Sequence, residues 1–332
     1  MHIADALVPY LANGGFHSTQ YLAHQFKVTA DIITQAMQTL EQWGLNIITC
    51  SQRGYGLAAP IELLDPTLLH TDFNAQTAAF IQQLHLLNVV PSTNTYLLEA
   101  LPNLPSGTVC LAEAQTAGRG QHKRQWLSPY AANIYLSLYC VLDKPVAQLA
   151  GLTLVLGLAV IASIAEIALP LPAGLGIKWP NDIWINGKKL AGILVESINL
   201  PANAKTQVVI GIGLNLQAPL LQDSSEVGIG LNTVLAQPVA RNLVIATLLN
   251  HLVMYLKQFE QHGVKKFLPL WAQYDILKDK LITFNEGIAN MPQQAVAKGI
   301  SPQGALWIEQ NGRYRTLTSG EVTVVRPKAC NY

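Results

Sequence analysis

The stretch Lys178-Trp179-Pro180-Asn181-Asp182-Ile183-Trp184-Ile185-Asn186-Gly187-Lys188-Lys189-Leu190-Ala191-Gly192-Ile193-Leu194-Val195-Glu196 decides how this chain is read. A fixed cation comes first, and a Trp-Pro-Asn-Asp turn breaks its strand at once. A short hairpin follows, whose Asn186-Gly187 pair suits a type I′ turn because both central positions need positive φ. The chain returns as an apolar strand with Gly192 at its centre. Glycine weakens a strand and often marks close approach by a ligand or another backbone. The pattern therefore predicts one lysine on rigid sheet beside a surface where something flat can lie. Lys178, between Ile177 and Trp179, faces the opposite side from both neighbours. A lysine snorkelling to water from a sheet edge has the same local pattern.

Working outward, strands are expected at Thr108 to Glu113, Asn133 to Leu142, Gly176 to Trp179, Leu190 to Glu196 and Gln207 to Leu216. Helices are expected at Ala147 to Ala168 and Arg241 to His262. In the second, Leu243, Ala246, Leu249, Leu252, Val253, Leu256 and Phe259 fall on one face. Towards the N-terminus, Leu7, Leu11, Leu22, Phe26, Ile32, Ile33, Met37, Leu40 and Trp43 recur near helical spacing. Thr29 is placed to cap a helix from Ala30 to Trp43, and Gly44 to stop it. Two short strands, Ile47 to Thr49 and Gly54 to Leu57, complete a winged helix-turn-helix pattern. Pro60 to Pro66 reads as a linker. After Trp271 come five short strands: Leu281 to Phe284, Gln294 to Ile300, Ala305 to Glu309, Tyr314 to Leu317 and Glu321 to Val325. Gln303-Gly304 and Asn311-Gly312 are the turns of a small β-barrel or sandwich.

Half of the 332 residues are hydrophobic and only 12% are charged, which supports a large core and argues against global disorder. A net charge of +1 gives no bulk attraction to nucleic acid. The four cysteines (Cys50, Cys110, Cys140, Cys330) form no CxxC, and the histidines form no HExxH, so a reduced cytosolic protein without structural zinc is expected. No basic region followed by an apolar run opens the chain, so no signal peptide is expected. Leu149 to Ala165 is nearly all apolar but at the short edge of membrane-spanning length, and reads as a buried helix.

Two further segments carry candidate chemistry. Gln115-Thr116-Ala117-Gly118-Arg119-Gly120-Gln121-His122-Lys123-Arg124-Gln125-Trp126 is a glycine-bearing loop with three fixed cations. Glycine frees backbone NH groups to face an anion, and arginine can hold a carboxylate or phosphate with two parallel bonds. It is not a Walker loop, and composition alone favours a solvated basic loop over a ligand clamp. Pro91-Ser92-Thr93-Asn94-Thr95 opens a helical run, where its hydroxyls and amide are either ordinary caps or donors for a polar head group. Gly211-Ile212-Gly213-Leu214-Asn215-Leu216 ends a strand as tight sheet packing or as a backbone wall against a nucleotide.

Together, and in this order along the chain, Ser92-Thr93-Asn94, Gln115 with Gly118-Arg119-Gly120, Lys178 to Asp182, Lys189 to Glu196 and Gly211 to Asn215 resemble the biotin–protein ligases. The resemblance covers nearly the whole chain. The first 60 or so residues look like the winged helix of the bifunctional ligase/biotin-operon repressors. Lys298-Gly299-Ile300 with Gln303-Gly304-Ala305-Leu306 looks like their SH3-like barrel. It implies an α+β chain in three domains: a winged helix-turn-helix over 1–64, a mixed-sheet ligase domain of the biotin/lipoate ligase type over 65–274, and an SH3-like β-barrel over 275–332.

The resemblance also implies a reaction. Such enzymes join biotin to ATP as biotinyl-5′-adenylate, then pass biotin to a lysine of the biotin carboxyl carrier protein of acetyl-CoA carboxylase. Two anions must meet, so Lys178 and Arg119 would supply fixed charge, with Mg²⁺ on the phosphates. Ser92, Thr93, Asn94 and Gln115 would bind the biotin head. Gly118, Arg119, Gly120, Gln121 and Trp126 would fold over the adenylate, with Gly192 and Asn215 near the nucleotide. No protein-held metal is implied. In the repressor branch the adenylate drives weak homodimerisation, and Tyr21, Thr29, Gln35, Gln38 and Gly44 belong to the DNA-binding helix-turn-helix. That unit is poorly equipped for phosphates, since Lys27 and Arg53 face Asp5, Asp31, Glu41 and Glu62. A cytoplasmic protein without a membrane contact is expected. The competing readings are a ligase whose winged helix binds no DNA, a regulator that only senses a small molecule, and a lipoate ligase.

Two departures stand out. Where the family loop has an arginine and then a glycine after glycine-arginine-glycine, this chain has Gln121 and Lys123. The segment Gln222 to Asn232 has no aromatic to pack on adenine. A neutral hydrogen bond contributes about 0.5–1.5 kcal/mol, against about 1.5–3 for one to a charged group. Gln121 is therefore expected to hold an adenylate less tightly than arginine. Adenylate release slower from Gln121→Arg than from the wild type is the expected outcome; equal rates would end the idea.

Overall fold

The computed structural model describes residues 3–199, 205–217, 228–285, 292–320 and 322–325. It opens with three helices, α1 (Ile3–Leu11), α2 (Thr19–Phe26) and α3 (Ala30–Gln42), and a hairpin, β1 (Ile47–Cys50) with β2 (Gly54–Leu57). Leu7, Leu11, Leu22, Ile33, Met37 and Leu40 form their shared core. Ile32 is 38% exposed and is not part of it. Ser18 caps α2 by accepting from Tyr21 N at 3.1 Å. Thr29 stands at the N-cap position of α3, but its side chain makes no capping bond there. Gly44 follows α3 with φ +93°, a conformation that favours glycine.

The segment after Leu57 is held down rather than free. Leu64 N donates to Glu113 at 2.6 Å. The Glu62 carboxylate accepts from the backbone NH groups of Arg241 and Asn242, the first two residues of a later helix. A carboxylate there satisfies orphan donors and opposes the helix dipole. Two short helices follow, α4 (Pro66–Asp72) and α5 (Ala75–Phe80).

The central unit runs β3 (Gln83–Val90), α6 (Thr93–Ala100), β4 (Thr108–Gln115), β5 (Ile134–Leu142), α7 (Leu152–Ile167), β6 (Leu175–Lys178), β7 (Asp182–Ile185), β8 (Lys188–Asn199), β9 (Thr206–Leu214) and α8 (Arg241–His262). The strands form one mixed sheet in the order β3-β4-β5-β9-β8-β7-β6. β3 and β4 are parallel, and every other pair is antiparallel. Asn186 (φ 48°) and Gly187 (φ 76°) turn β7 into β8 as the Asn-Gly pair predicts.

Helices α7 and α8 cover one face of this sheet, and α6 packs on the other. The apolar run from Leu149 is interior: α7 is buried nearly all round, and no described helix is long and apolar enough to cross a membrane. The helix expected from Ala147 begins only at Leu152, because Gly151 interrupts it with φ +81° hard against Val264. The single apolar face expected for α8 is also corrected. Leu243 is 40% exposed, whereas Val244, Ile245 and Leu248 are buried. α7 covers one side of α8 and α4 and α5 another, so the apolar surface is wider than one stripe. Arg241 at its start is 3% exposed and paired with Glu113 of β4.

The chain continues through α9 (Leu268–Tyr274) into an antiparallel sheet of β10 (Leu281–Phe284), β11 (Gln293–Ile300), β12 (Leu306–Gln310), β13 (Arg313–Leu317) and β14 (Val322–Val324). Its order is β13-β12-β11-β10-β14, so among the described residues it is open, with β13 and β14 at its edges. Trp179 reaches into this sheet, donating its indole NH to Gly304 O at 3.0 Å.

Asp275 lies at the junction of the two sheets, bridged to Ile177 of β6. One carboxylate oxygen accepts from Leu277 N at 2.9 Å, and the other is buried without a partner. Burial pushes this carboxyl up to about 6, against the opposing pull of the Leu277 and Lys278 backbone bonds. The folded state thus binds a proton more tightly than the unfolded chain does, and stability falls as pH rises from about 3.8 through 6. Asp275→Asn, which keeps the acceptor, is expected to stabilise the chain by about 1–3 kcal/mol at pH 7.5 and by almost nothing at pH 4. Urea midpoints at the two pH values measure this; a gain equal at both would refute it.

Candidate active site

On the α6 side of the central sheet lies a cavity of about 460 Å³. Its floor is the face of β8 and β9 that carries Gly192, Leu194, Gly211 and Gly213. Gly192 and Gly213 are cross-strand partners, as are Leu194 and Gly211. The glycines leave room for this chain's own side chains. A Cβ on Gly213 would lie 2.3 Å from the indole of Trp126, and one on Gly192 would lie 3.2 Å from it. A Cβ on Gly211 would lie 2.3 Å from Asn94 Oδ1. The flat object expected on this surface is therefore, in the first instance, Trp126.

The loop over Gly118–Trp126 folds back as a flap. Trp126 N donates to Gly118 O at 2.9 Å, Gly120 N to Arg124 O at 2.8 Å, and Arg119 bridges Gln125. Gly118 is obligatory, because a Cβ would sit 2.4 Å from Trp126 O. Gln121 lines the cavity near the tip, next to His122 at φ +55°.

At one end of the cavity Ser92, Thr93 and Asn94 begin α6, all almost fully buried. Ser92 is the N-cap, so the capping reading of this cluster holds for it. Thr93 N and Oγ1 both donate to Gln115 Oε1, at 2.9 and 3.2 Å. Gln115 Nε2 donates to Ser128 Oγ at 2.8 Å. Ser137 Oγ lies 2.5 Å from Asn94 Oδ1 and 2.7 Å from Thr93 Oγ1. Asn94 Nδ2 donates to Glu196 at 2.9 Å. Neutral groups thus meet in a network that fixes their directions before any ligand arrives.

The other end is charged. Lys178 ends β6 at 7% exposure and faces the cavity, while Ile177 and Trp179 on either side of it are buried in the core. Its Nζ stands 4.5 Å above the ring of Trp184, a cation–π distance. The turn after it is pinned to β8, since Asn181 Nδ2 donates to Ile193 O at 2.8 Å. Asn215 (6% exposed) holds the neighbouring backbone, its NH bonded to Leu190 O at 2.9 Å. Arg119 is placed differently from Lys178. Its guanidinium makes a two-point pair with Glu196, at 2.8 and 3.3 Å, and its side chain is 44% exposed.

Three residues without an assigned role in the sequence reading belong to this arrangement. Lys189 lines the cavity, pairs with Asp182 at 2.9 Å, and lies 5.6 Å from the Trp126 ring centroid. Asp182 is the one carboxylate among the described lining residues, and Glu196 anchors Arg119 and Asn94 from just outside. All three stand in the opening motif, but their direction depends on a bulge. Between Ile183 and Trp184 the β7–β8 register shifts, so Asp182 pairs with Gly192 and Lys189 comes to the same face. Lys178 and Lys189 set two cations against Asp182 at this end, whereas Arg119 lines the cavity from the other end, beside Asn94 and Thr95. Most of Gln222 to Asn232, the stretch without an aromatic, lies outside the described residues.

The residues expected on the DNA-reading unit are spread over its surface. Gln35 and Gln38 are exposed on α3, and Tyr21 is 45% exposed and stacked on His17. Gly44 faces the central unit instead, where a Cβ would meet Pro129 at 2.8 Å. Trp43 beside it stacks on Tyr130, with ring centroids 5.7 Å apart. The Glu62 charge is used at the start of α8.

The profile of the biotin/lipoate A/B protein ligase family matches residues 86–215, and the chain belongs to this family. Over 328 residues it is 35% identical to the bifunctional ligase/repressor BirA of Salmonella typhimurium and 34% identical to that of Escherichia coli, each alignment covering 96% of both chains. The structure of the biotin protein ligase from Aquifex aeolicus in complex with biotin and ATP matches with a TM-score of 0.62 at 26% identity, over 74% of this chain and 100% of that one.

The glycine floor yields a direct test. Gly213→Ala must push the Trp126 indole off the sheet, and overpacking of this kind costs about 1–3 kcal/mol. Its expected signature is a red shift in the fluorescence attributable to Trp126, obtained by subtracting Trp126→Phe. An unshifted difference spectrum would show that the indole does not lie there.

Proposed function

We propose that this chain activates biotin with ATP to biotinyl-5′-adenylate and transfers biotin to a lysine of a biotin carboxyl carrier protein. The observation that carries this reading is the polarity of the cavity. Pre-oriented neutral hydrogen-bonding groups stand at one end with the Arg119–Glu196 pair beside them, Lys178 and Lys189 at the other, and Trp126 lies between over glycines. An uncharged ring system suits the first end. A carboxylate meeting a phosphate suits the second.

In this reading Ser92, Thr93, Asn94 and Gln115 take the biotin head, whose ureido group needs both donors and acceptors. Gly118, Gly120, Gln121 and Trp126 enclose the ligand, Gly192 gives the floor its room, and Asn215 steadies the strand beneath the nucleotide. Lys178 stands where the carboxylate attacks the α-phosphate. A lysine on a strand needs no reorganisation as charge develops, and this is where fixed charge lowers a barrier most. Arg119 acts from the flap, in partnership with Glu196. Mg²⁺ would ride on the nucleotide phosphates and offset their charge, beside the Lys189–Asp182 pair. Enclosure by the flap would also keep water from a reactive mixed anhydride.

We extend the proposal to the rest of the chain. The N-terminal unit, to about residue 64, is read as a winged helix-turn-helix, with Tyr21, Thr29, Gln35, Gln38 and Gly44 in its DNA-binding element. The ligase domain runs to about residue 274, and the sheet beyond it is read as the SH3-like unit, its described strands forming an open sheet. The full-length relatives named bifunctional ligase/repressor support operator binding. Its few cations predict a shallow dependence of DNA affinity on salt. A weak homodimer and a cytoplasmic location complete the reading.

The test has two arms. Incubation with biotin, ATP, Mg²⁺ and an apo carrier domain should add the mass of a biotinyl group to the carrier, and lipoate should not replace biotin. Lys178→Ala should slow labelling roughly 10²–10³-fold, the usual loss for one pre-organised charge donor. Labelling at full speed in that variant, or a lipoate-only product, would overturn the assignment. In the second arm, the organism's biotin-gene promoter should shift in a gel only with biotin and ATP present.

A further inference from the structure

We infer that Glu196 is a positioning residue that straps the flap across the cavity, and that the guanidinium of Arg119 serves chiefly as the other half of that strap. The inference rests on the ligase reading above and concerns how the chain retains its adenylate.

The flap meets the sheet at two feet. Trp126, at one foot, lies on the rung formed by Gly192 and Gly213. At the other, Arg119 reaches Glu196, four residues further along β8 and so about 13 Å away. The first foot is an apolar contact with the strand backbone. The second is ionic, with the two carboxylate oxygens facing the two terminal guanidinium nitrogens, an arrangement that fixes direction as well as distance. Arg119 Nη1 also lies 3.4 Å from Thr95 Oγ1 on α6.

Three observations assign this role to Glu196 rather than contact with the ligand. The carboxylate does not line the cavity, although Arg119, Asn94 and Leu194 do. It accepts from Asn94 Nδ2 as well, so flap, helix and strand are tied at one point. It also sits where β7 has already ended at the Asp182–Gly192 pair and β8 continues with β9 alone, opposite Val209. An ion pair with side chains 44% and 23% exposed is weak and screened by salt. Those properties suit a catch that must open in every turnover to admit the carrier lysine. The Arg119 charge is committed to Glu196, so Lys178 is the cation that meets the reacting anions.

A double-mutant cycle on the intact chain tests the strap. Adenylate is formed from biotin, ATP and Mg²⁺, and its release is followed for the wild type, R119Q, E196Q and the double variant. Gln at position 196 still accepts from Asn94, so E196Q removes the ionic contact alone. Each single variant and the double are expected to release adenylate faster by the same factor, roughly two- to fivefold. KM for biotin should rise more than kcat falls. Added salt should speed release from the wild type and leave E196Q unmoved. E196D, which keeps the charge at a shorter reach, should fall between wild type and E196Q and serves if E196Q folds poorly, with thermal melts as the control. Effects that multiply in the double variant, an E196Q that behaves like the wild type, or an E196Q that releases more slowly because Arg119 now grips the anion, would each overturn the strap. A wild type that forms no adenylate would overturn the ligase reading itself.

Discussion

Two missing side chains set the shape of the cavity floor. Gly192 and Gly213 lie opposite each other on β8 and β9, and their bare backbone lets the Trp126 indole lie down on the sheet. Glycine within a strand costs about 0.5–1 kcal/mol relative to alanine. Burying an indole against backbone offsets that cost and settles where the flap ends. The next rung on that face, Leu194 with Gly211, admits Asn94, and the one beyond it carries Glu196. Three alternate rungs, those of one face, thus place an aromatic wall, a polar end and an ionic anchor in order along a single strand pair.

The charges follow the same division between rigid and movable parts. Lys178 stands on β6, and the turn after it is pinned to β8 by Asn181. Lys189 is steered by Asp182, and Arg119 by Glu196. Partnered cations hold their direction while the site is empty, so an arriving anion meets an arrangement that is already made. Buried thiols have no part in it, since burial pushes Cys110 and Cys140 up to about 12.

Much of this was legible in sequence because short-range rules govern it. The Asn186-Gly187 turn, the Lys178 alternation and the five C-terminal strands rest on local backbone preferences, and the structure follows them. What stayed hidden depends on partners distant in sequence. Glycine at 192, 211 and 213 announces close approach, but nothing nearby says that Trp126 and Asn94 are what approaches. A one-residue bulge at the β7–β8 pairing turned Lys189 and Asp182 towards the cavity, and a count back from the turn cannot see it. The burial of Val244 and Ile245 on α8 depends on α4 and α5 packing against a side that a single-stripe reading leaves to solvent. The open order of the C-terminal sheet, too, comes from pairing across long separations, which strand propensity does not encode.

Trp179 adds a constraint of another kind. Its indole is hydrogen-bonded to Gly304, one peptide bond away from Lys178, and Gly304 in turn packs on Gly151 at the entrance to α7. Lys178 is therefore aligned in part by a hairpin more than a hundred residues downstream. Anyone building chimaeras from this chain should not regard the last sheet as an interchangeable cassette. A graft with a differently shaped turn at that spot would keep every charged residue of the pocket and still aim the Lys178 ammonium wrongly.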